Sequence, residues 1–150
     1  MALSVTKHIY KQLSESTALT SIVGTRIYPV NIPNGTPAFP FVVFDTQTGQ
    51  PDYTKDGLSS DSHSVTVYVL ARDYMSELLP AAEAVRSALE LVAAEYPTFV
   101  VTECTLDSAV DGWDDTLQCY LYTLTFAITT ENVPPLEEDD DTPPLTEDNV

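Results

Sequence analysis

The chain has 150 residues, 43% of them hydrophobic, which suits one domain with an ordinary globular core. It carries 23 acidic and 6 basic side chains, a net charge of −17. Six cations (Lys7, Lys11, Arg26, Lys55, Arg72, Arg86) are too few to displace phosphate counterions, so binding nucleic acid through a basic surface is excluded. No apolar run approaches the roughly 20 residues needed to cross a bilayer, and no basic amphipathic stretch suggests membrane docking.

Residues 3–14 read as a short amphipathic helix with Leu3, Ile9, Tyr10 and Leu13 on one face. A second short turn spans 17–23, with Gly24 placed to end it. From Arg26 to Ile32 the chain reads as extended. Pro29, Pro33, Pro37 and Pro40 make this stretch an irregular lead-in. Phe39–Thr48 is a strong aromatic and β-branched strand. A polar loop at 49–61 follows, and the return strand runs from Ser62 to Ala71 with Val65, Val67 and Val69 on one face.

Residues 74–94 read as the one long helix, with Met75, Leu78, Leu79, Ala82, Val85, Leu89 and Val92 at helical spacing. Ser76 is its expected N-cap, because Pro80 is tolerable only near the first turn. Phe99–Leu106 is a third strand, 107–116 an acidic loop, and Leu117–Thr129 the fourth strand. Tyr120, Tyr122, Leu124, Phe126 and Ile128 line one face of that strand. The expected class is α+β. An antiparallel sheet of about four main strands, in two hairpins, carries a long helix and a short N-terminal helix, followed by an extended acidic tail.

The charge divides the chain. Residues 131–150 hold eight acids, four prolines and no base, which leaves −9 on residues 1–130. The expected organisation is therefore a folded domain over 1–130 and an acidic, Pro-rich extension over 131–150. Pro134-Pro135-Leu136-Glu137-Glu138-Asp139 is echoed by Pro143-Pro144-Leu145-Thr146-Glu147-Asp148. The extension reads as a solvated tail, or as a linear segment whose two Pro-Pro-Leu steps dock on a neighbouring subunit.

No motif for catalysis emerges. His8 and His63 are the only histidines, no nucleophile elbow surrounds a serine, and both histidines read as surface residues. The Asp107–Asp115 stretch could hold a hard cation but fails the calcium-loop pattern, and Asp52–Gly57 is closer only at its start. Ala109 and Gln118 occupy ligand positions in one, and His63 replaces the closing glutamate in the other. The five glycines are scattered, so no phosphate cradle forms. Cys104 and Cys119 lie on successive strands, either as cross-strand neighbours or as two small buried hydrophobes. With no signal peptide at the N-terminus and no disulfide framework, a reducing place of synthesis is expected. No enzyme activity, cofactor or metal is expected. Trp113, in an acidic setting, is either folded onto the core or exposed as an interface anchor.

Several residues together resemble a known pattern. Leu19-Thr-Ser-Ile-Val-Gly-Thr-Arg-Ile-Tyr-Pro29 is followed, after a proline-spaced gap, by Phe39-Pro-Phe-Val-Val-Phe44, then Val65-Thr-Val-Tyr-Val69 and Ala84-Val-Arg-Ser-Ala-Leu89. Over roughly residues 5–130 this resembles the tail-completion, or tail terminator, proteins of long-tailed bacteriophages. The resemblance implies a virion structural protein at the tail or neck, made in the host cytoplasm. It further implies a homo-oligomeric ring, expected to be a hexamer, that caps the tail tube protein, stops its polymerisation and meets the head-side connector or stopper protein. DNA would pass through without specific binding. Gly24, Arg26, Tyr28, Pro29 and Pro40 are the matching positions and are expected to define the fold. Asp52, Asp56, Asp107, Asp111, Trp113, Asp114 and Asp115 are the expected lumen-facing or partner-facing residues, since carboxylates around a channel repel phosphate. The alternatives are another neck or tail subunit, such as a head-closure or tube protein, and an acidic DNA mimic.

Overall fold

The computed structural model describes residues 2–30, 38–48, 52–53, 59–97 and 99–132. The chain begins with helix α1 (Ala2–Ser14), which buries Val5, Ile9 and Leu13 one turn apart. Tyr10, expected on that face, is 44% exposed and lies on the helix flank. Helix α2 (Thr17–Val23) is N-capped by Ser16, whose hydroxyl accepts from the Leu19 N–H. Gly24 ends it at φ 62°, ψ −128°, a conformation that needs glycine, and its N–H donates to the Thr20 carbonyl.

Strand β1 (Ile27–Pro29) then runs parallel to β2 (Phe41–Thr48), which pairs antiparallel with β4 (Ser59–Ala71). Short β3 (Asp52–Tyr53) pairs with the start of β4. A helix follows, made of a wide π turn (Tyr74–Leu78) and α3 (Leu79–Leu89). Strands β5 (Ala94–Glu95), β6 (Phe99–Asp114) and β7 (Cys119–Asn132) complete the sheet in the order β1-β2-β4-β7-β6-β5.

This corrects the expected fold class. The structure is mostly one curled, mixed sheet, a half-barrel, with roughly half the chain in strand and three short helices. Two physical causes separate it from four antiparallel strands under a long helix. First, residues 27–29 form a strand, β1, that joins β2 in parallel. The Arg26 guanidinium helps to fix this pairing by donating from Nε to the Pro40 carbonyl at 2.9 Å. Second, 107–114 is strand rather than loop, because β7 offers ladder partners from Ser108 opposite Thr125 to Asp114 opposite Cys119. The turn itself is only 115–118.

The long helix is also shorter and different at its start. Asp73, not Ser76, is the N-cap: its carboxylate accepts from the Ser76 N–H at 2.9 Å, and that hydrogen bond holds its pKa below the ordinary value. The Leu78 N–H reaches back five residues to the Asp73 carbonyl. That wide turn sits just before Pro80, which has no N–H to continue an α ladder. It also rotates the leading residues, so Leu78 is buried while Met75 is 70% exposed. The helix ends at Leu89, and Leu91 takes φ 62° just beyond.

The core lies between the helices and one sheet face. Phe44, Val65, Val67, Val69, Leu124, Phe126 and Ile128 meet Ile9, Leu13, Leu78, Val85 and Leu89 there. Replacing Phe126 by Ala would cost about 3–5 kcal/mol. A second cluster lies on the opposite face, where Phe41, Leu70 and Cys119 are buried under Tyr28, Phe39, Tyr68 and Leu117. The Arg72 guanidinium sits 4.5 Å from the centre of the Phe39 ring.

The histidines are not surface residues. His8 is 1% exposed and shares a hydrogen bond with the Tyr96 hydroxyl; burial and then Lys11 push its pKa down to about 4. His63 is 3% exposed, 2.9 Å from the Thr130 hydroxyl, and burial lowers its pKa against the opposing pull of Asp61. Nor are the cysteines cross-strand neighbours. Cys104 faces Ile128 and Cys119 faces Asp114, nine positions apart along β7, or roughly 30 Å at the rise of a strand. Both are buried free thiols, and burial pushes Cys104 up to about 12.

Candidate interaction site

The expected partner-facing residues fall into separate places. Asp111, Trp113, Asp114 and Asp115 come together on the end of the β6–β7 hairpin, where the sheet extends past the start of α3. The register puts Asp111 opposite Tyr122 and Trp113 opposite Tyr120, on the face that carries the helices. The Trp113 ring meets Tyr120 edge-on at 5.0 Å, and Tyr120 meets Tyr74 edge-on at 5.5 Å. The Tyr74 hydroxyl donates to Asp111, which raises the phenol's pKa to about 12. Trp113 Nε1 donates to Asp115 at 3.0 Å, and Asp114 accepts from the Leu117 N–H at 3.0 Å to close the turn.

Trp113 is thus neither buried in the core nor loose. It is 51% exposed, held by one ring contact and one hydrogen bond. Nearby Val110 is 62% exposed. The arm combines held aromatic surface with carboxylates, a composition that suits docking. Tyr74 and Tyr120 belong to this site; the sequence places Tyr120 only on one face of the fourth strand and does not single out Tyr74. Their only signal was aromatic character at a helix start and a strand start.

Asp107 is exposed on the same strand but lies at a β-bulge between Leu106 and Ser108, outside the ladder. Asp52 sits on β3, at the other end of the sheet: β4 begins there opposite the last residues of β7. Asp56 lies outside the described residues. Asp52 and the acidic end of the β6–β7 hairpin therefore lie at opposite ends of one sheet, separated by the length of β7, roughly 45 Å for 14 strand residues.

The five motif residues cluster around the α2–β1 junction and its anchor. Gly24 closes α2, Arg26 donates to the Pro40 carbonyl, and Tyr28 meets Phe41 edge-on at 6.3 Å. Pro29 ends β1 opposite Phe44, and Pro40 is buried before β2. Among the described residues no group of three His, Cys, Asp or Glu side chains could hold a metal ion. No described helix is long and apolar enough to cross a membrane.

This arrangement was compared with known proteins. A family model described as "Tail completion protein gp17" matches residues 7–131. The chain belongs to that family. As a tail completion protein it is a structural component of a phage-type tail and of the virion particle. A chain from the "Virion of native gene transfer agent (GTA) particle" shares the fold, with a TM-score of 0.67 and 21% identity. That match covers 87% of this tail completion protein and 95% of the virion chain. Among curated proteins none matches.

Proposed function

We propose that this tail completion protein assembles as a closed, hexameric ring that caps the tail tube, ends its polymerisation and joins it to the head-side connector or stopper protein at the neck. The observation that carries this reading is the placement of Asp52 and of the acidic end of the β6–β7 hairpin at opposite ends of one continuous sheet. A subunit of that form meets one partner at each end without bending. β1 and β5, at the two ends of the strand order, give it two unlike sides, as a head-to-tail ring requires.

Residues 1–130 form the ring body in this reading, with 131–150 as a separate acidic extension. β7 itself continues to Asn132. The Asp107–Asp115 arm, or the arm carrying Asp52 and Asp56, faces the channel or a partner. Carboxylates there repel DNA phosphate, so DNA slides through without specific binding. The protein works by contact and uses no catalytic group or cofactor. Its solution mass, alone and with the tail tube protein, tests this: a ring on the tube is expected, and a stable one-to-one complex with a DNA-binding protein would favour the DNA-mimic reading instead.

A further inference from the structure

A groove of about 620 Å³ lies along the outer side of β1, between Thr6, Lys7 and Tyr10 of α1 and Ile27, Tyr28 and Pro29 of β1. Among the described residues no strand pairs with β1 on that side. The groove is mostly apolar, and Tyr10 is 44% exposed beside it. No acid lines it among the described residues, in a chain with 23 acids. Instead Lys7 stands at its edge, while Lys11, one turn further along the helix, pairs with Glu15 at 3.6 Å. An aromatic- and proline-walled groove with a cation at one edge fits an extended proline segment followed by carboxylates.

The chain contains that sequence twice. Pro134-Pro135-Leu136 is followed by Glu137-Glu138-Asp139-Asp140-Asp141, and Pro143-Pro144-Leu145 by Thr146-Glu147-Asp148. We infer that the C-terminal extension of one copy docks in the α1–β1 groove of the neighbouring copy, with Pro-Pro-Leu against Tyr10, Tyr28 and Pro29 and the acids beside Lys7.

For the first repeat, chain length selects the neighbour over the same chain. Pro29 aligns across the sheet with Phe44, Val67 and Leu124. Asn132 is therefore eight residues along β7 and three strands across, roughly 30 Å from the groove at ordinary strand rise and spacing. Leu136 lies four residues past Asn132, a reach of about 14 Å at full extension. The first repeat, which carries the longest acid run, cannot enter its own groove. The contact links copies head to tail, so it rests on the multi-copy reading.

The test uses the full chain with photoreactive benzoylphenylalanine in place of Leu136, mixed as isotopically light and heavy protein, with the solution mass measured on the same sample. Cross-links joining light to heavy chains at Thr6–Tyr10 or Ile27–Pro29 are expected. Lys7→Glu should lower their yield about threefold or more, the scale of one exposed ion pair, and adding Glu137→Lys with Glu138→Lys should restore it. A multi-copy mass with cross-links elsewhere overturns the docking and leaves the ring reading intact. A single-copy mass with cross-links confined within one chain overturns the docking between copies.

Discussion

The Tyr74 hydroxyl, on the first turn of the helix, donates a hydrogen bond to the Asp111 carboxylate on β6, 37 residues away. With the ring contacts from Tyr74 to Tyr120 to Trp113, it ties the acidic hairpin arm to the helix. The arm is thereby held as a positioned surface, which lowers the entropy lost when a partner docks.

Trp113→Ala is expected to leave the fold intact, with a stability loss no larger than about 1.5 kcal/mol, the scale of an aromatic pair. Attachment to the tail partner should weaken tenfold or more, as for a central interface anchor. Thermal melting and co-sedimentation with tail tubes measure the two effects. Tyr74→Phe should increase amide exchange along 110–118 while Trp113 keeps its ring contact with Tyr120.

Two backbone positions carry opposite predictions. Gly24 has φ 62° and ψ −128°, and a Cβ there would meet Arg26 only at an ordinary 3.6 Å. The cost of Gly24→Ala is therefore conformational, about 1–3 kcal/mol. Leu91 has φ 62° and is 78% exposed, so Leu91→Gly removes strain and loses little packing. A gain of about 0.5–1 kcal/mol is expected, raising the melting temperature by a few degrees.

Buried His8 gives stability a pH dependence with a fixed sign. Its folded pKa of about 4 lies below the unfolded 6.5, so the unfolded chain binds the extra proton between those values. Its contribution is complete above pH 6.5 and is lost as pH falls toward 4. His63 acts in the same direction. Neutralising the many carboxylates has the opposite sign, so the informative quantity is the difference between wild type and His8→Gln. That difference should narrow from pH 7.5 to pH 5 in denaturant titrations.

Cys104 and Cys119 are buried on different faces of the sheet. Neither should react with a thiol reagent in the native protein, and both should react after unfolding. Oxidation should produce no intramolecular disulfide, because the register separates the two sulfurs far beyond bonding distance.

Strands β2, β4 and β7 were legible because β-branched and aromatic residues alternate there over eight or more positions. The end of β6 was not. Asp107, Asp111, Gly112 and Asp114 are poor strand formers, and only their pairing with β7 makes them a strand. The same pairing moved the hairpin turn to 115–118 and displaced the register expected for the cysteines. Parallel β1 was hidden by prolines that normally signal irregular chain. His8 was hidden because a neutral, hydrogen-bonded imidazole on a helix looks no different in sequence from an exposed one. Within the candidate site, Trp113 and its acids were visible as unusual residues in an acidic segment. Tyr74 and Tyr120 became part of it only when the sheet and helix met. The Leu19–Pro29 stretch that carries the family resemblance proved to hold the α2 cap, the Arg26 anchor to Pro40 and the β1 edge.

Electron cryomicroscopy of the chain bound to tail tubes tests most directly whether its copies close into the proposed ring at the tube end. A six-fold ring capping the tube end, with carboxylates of the 52–61 or 107–115 arms lining its bore, is the predicted result. A single copy at the tube end, or a ring with a neutral or basic bore, would contradict the account.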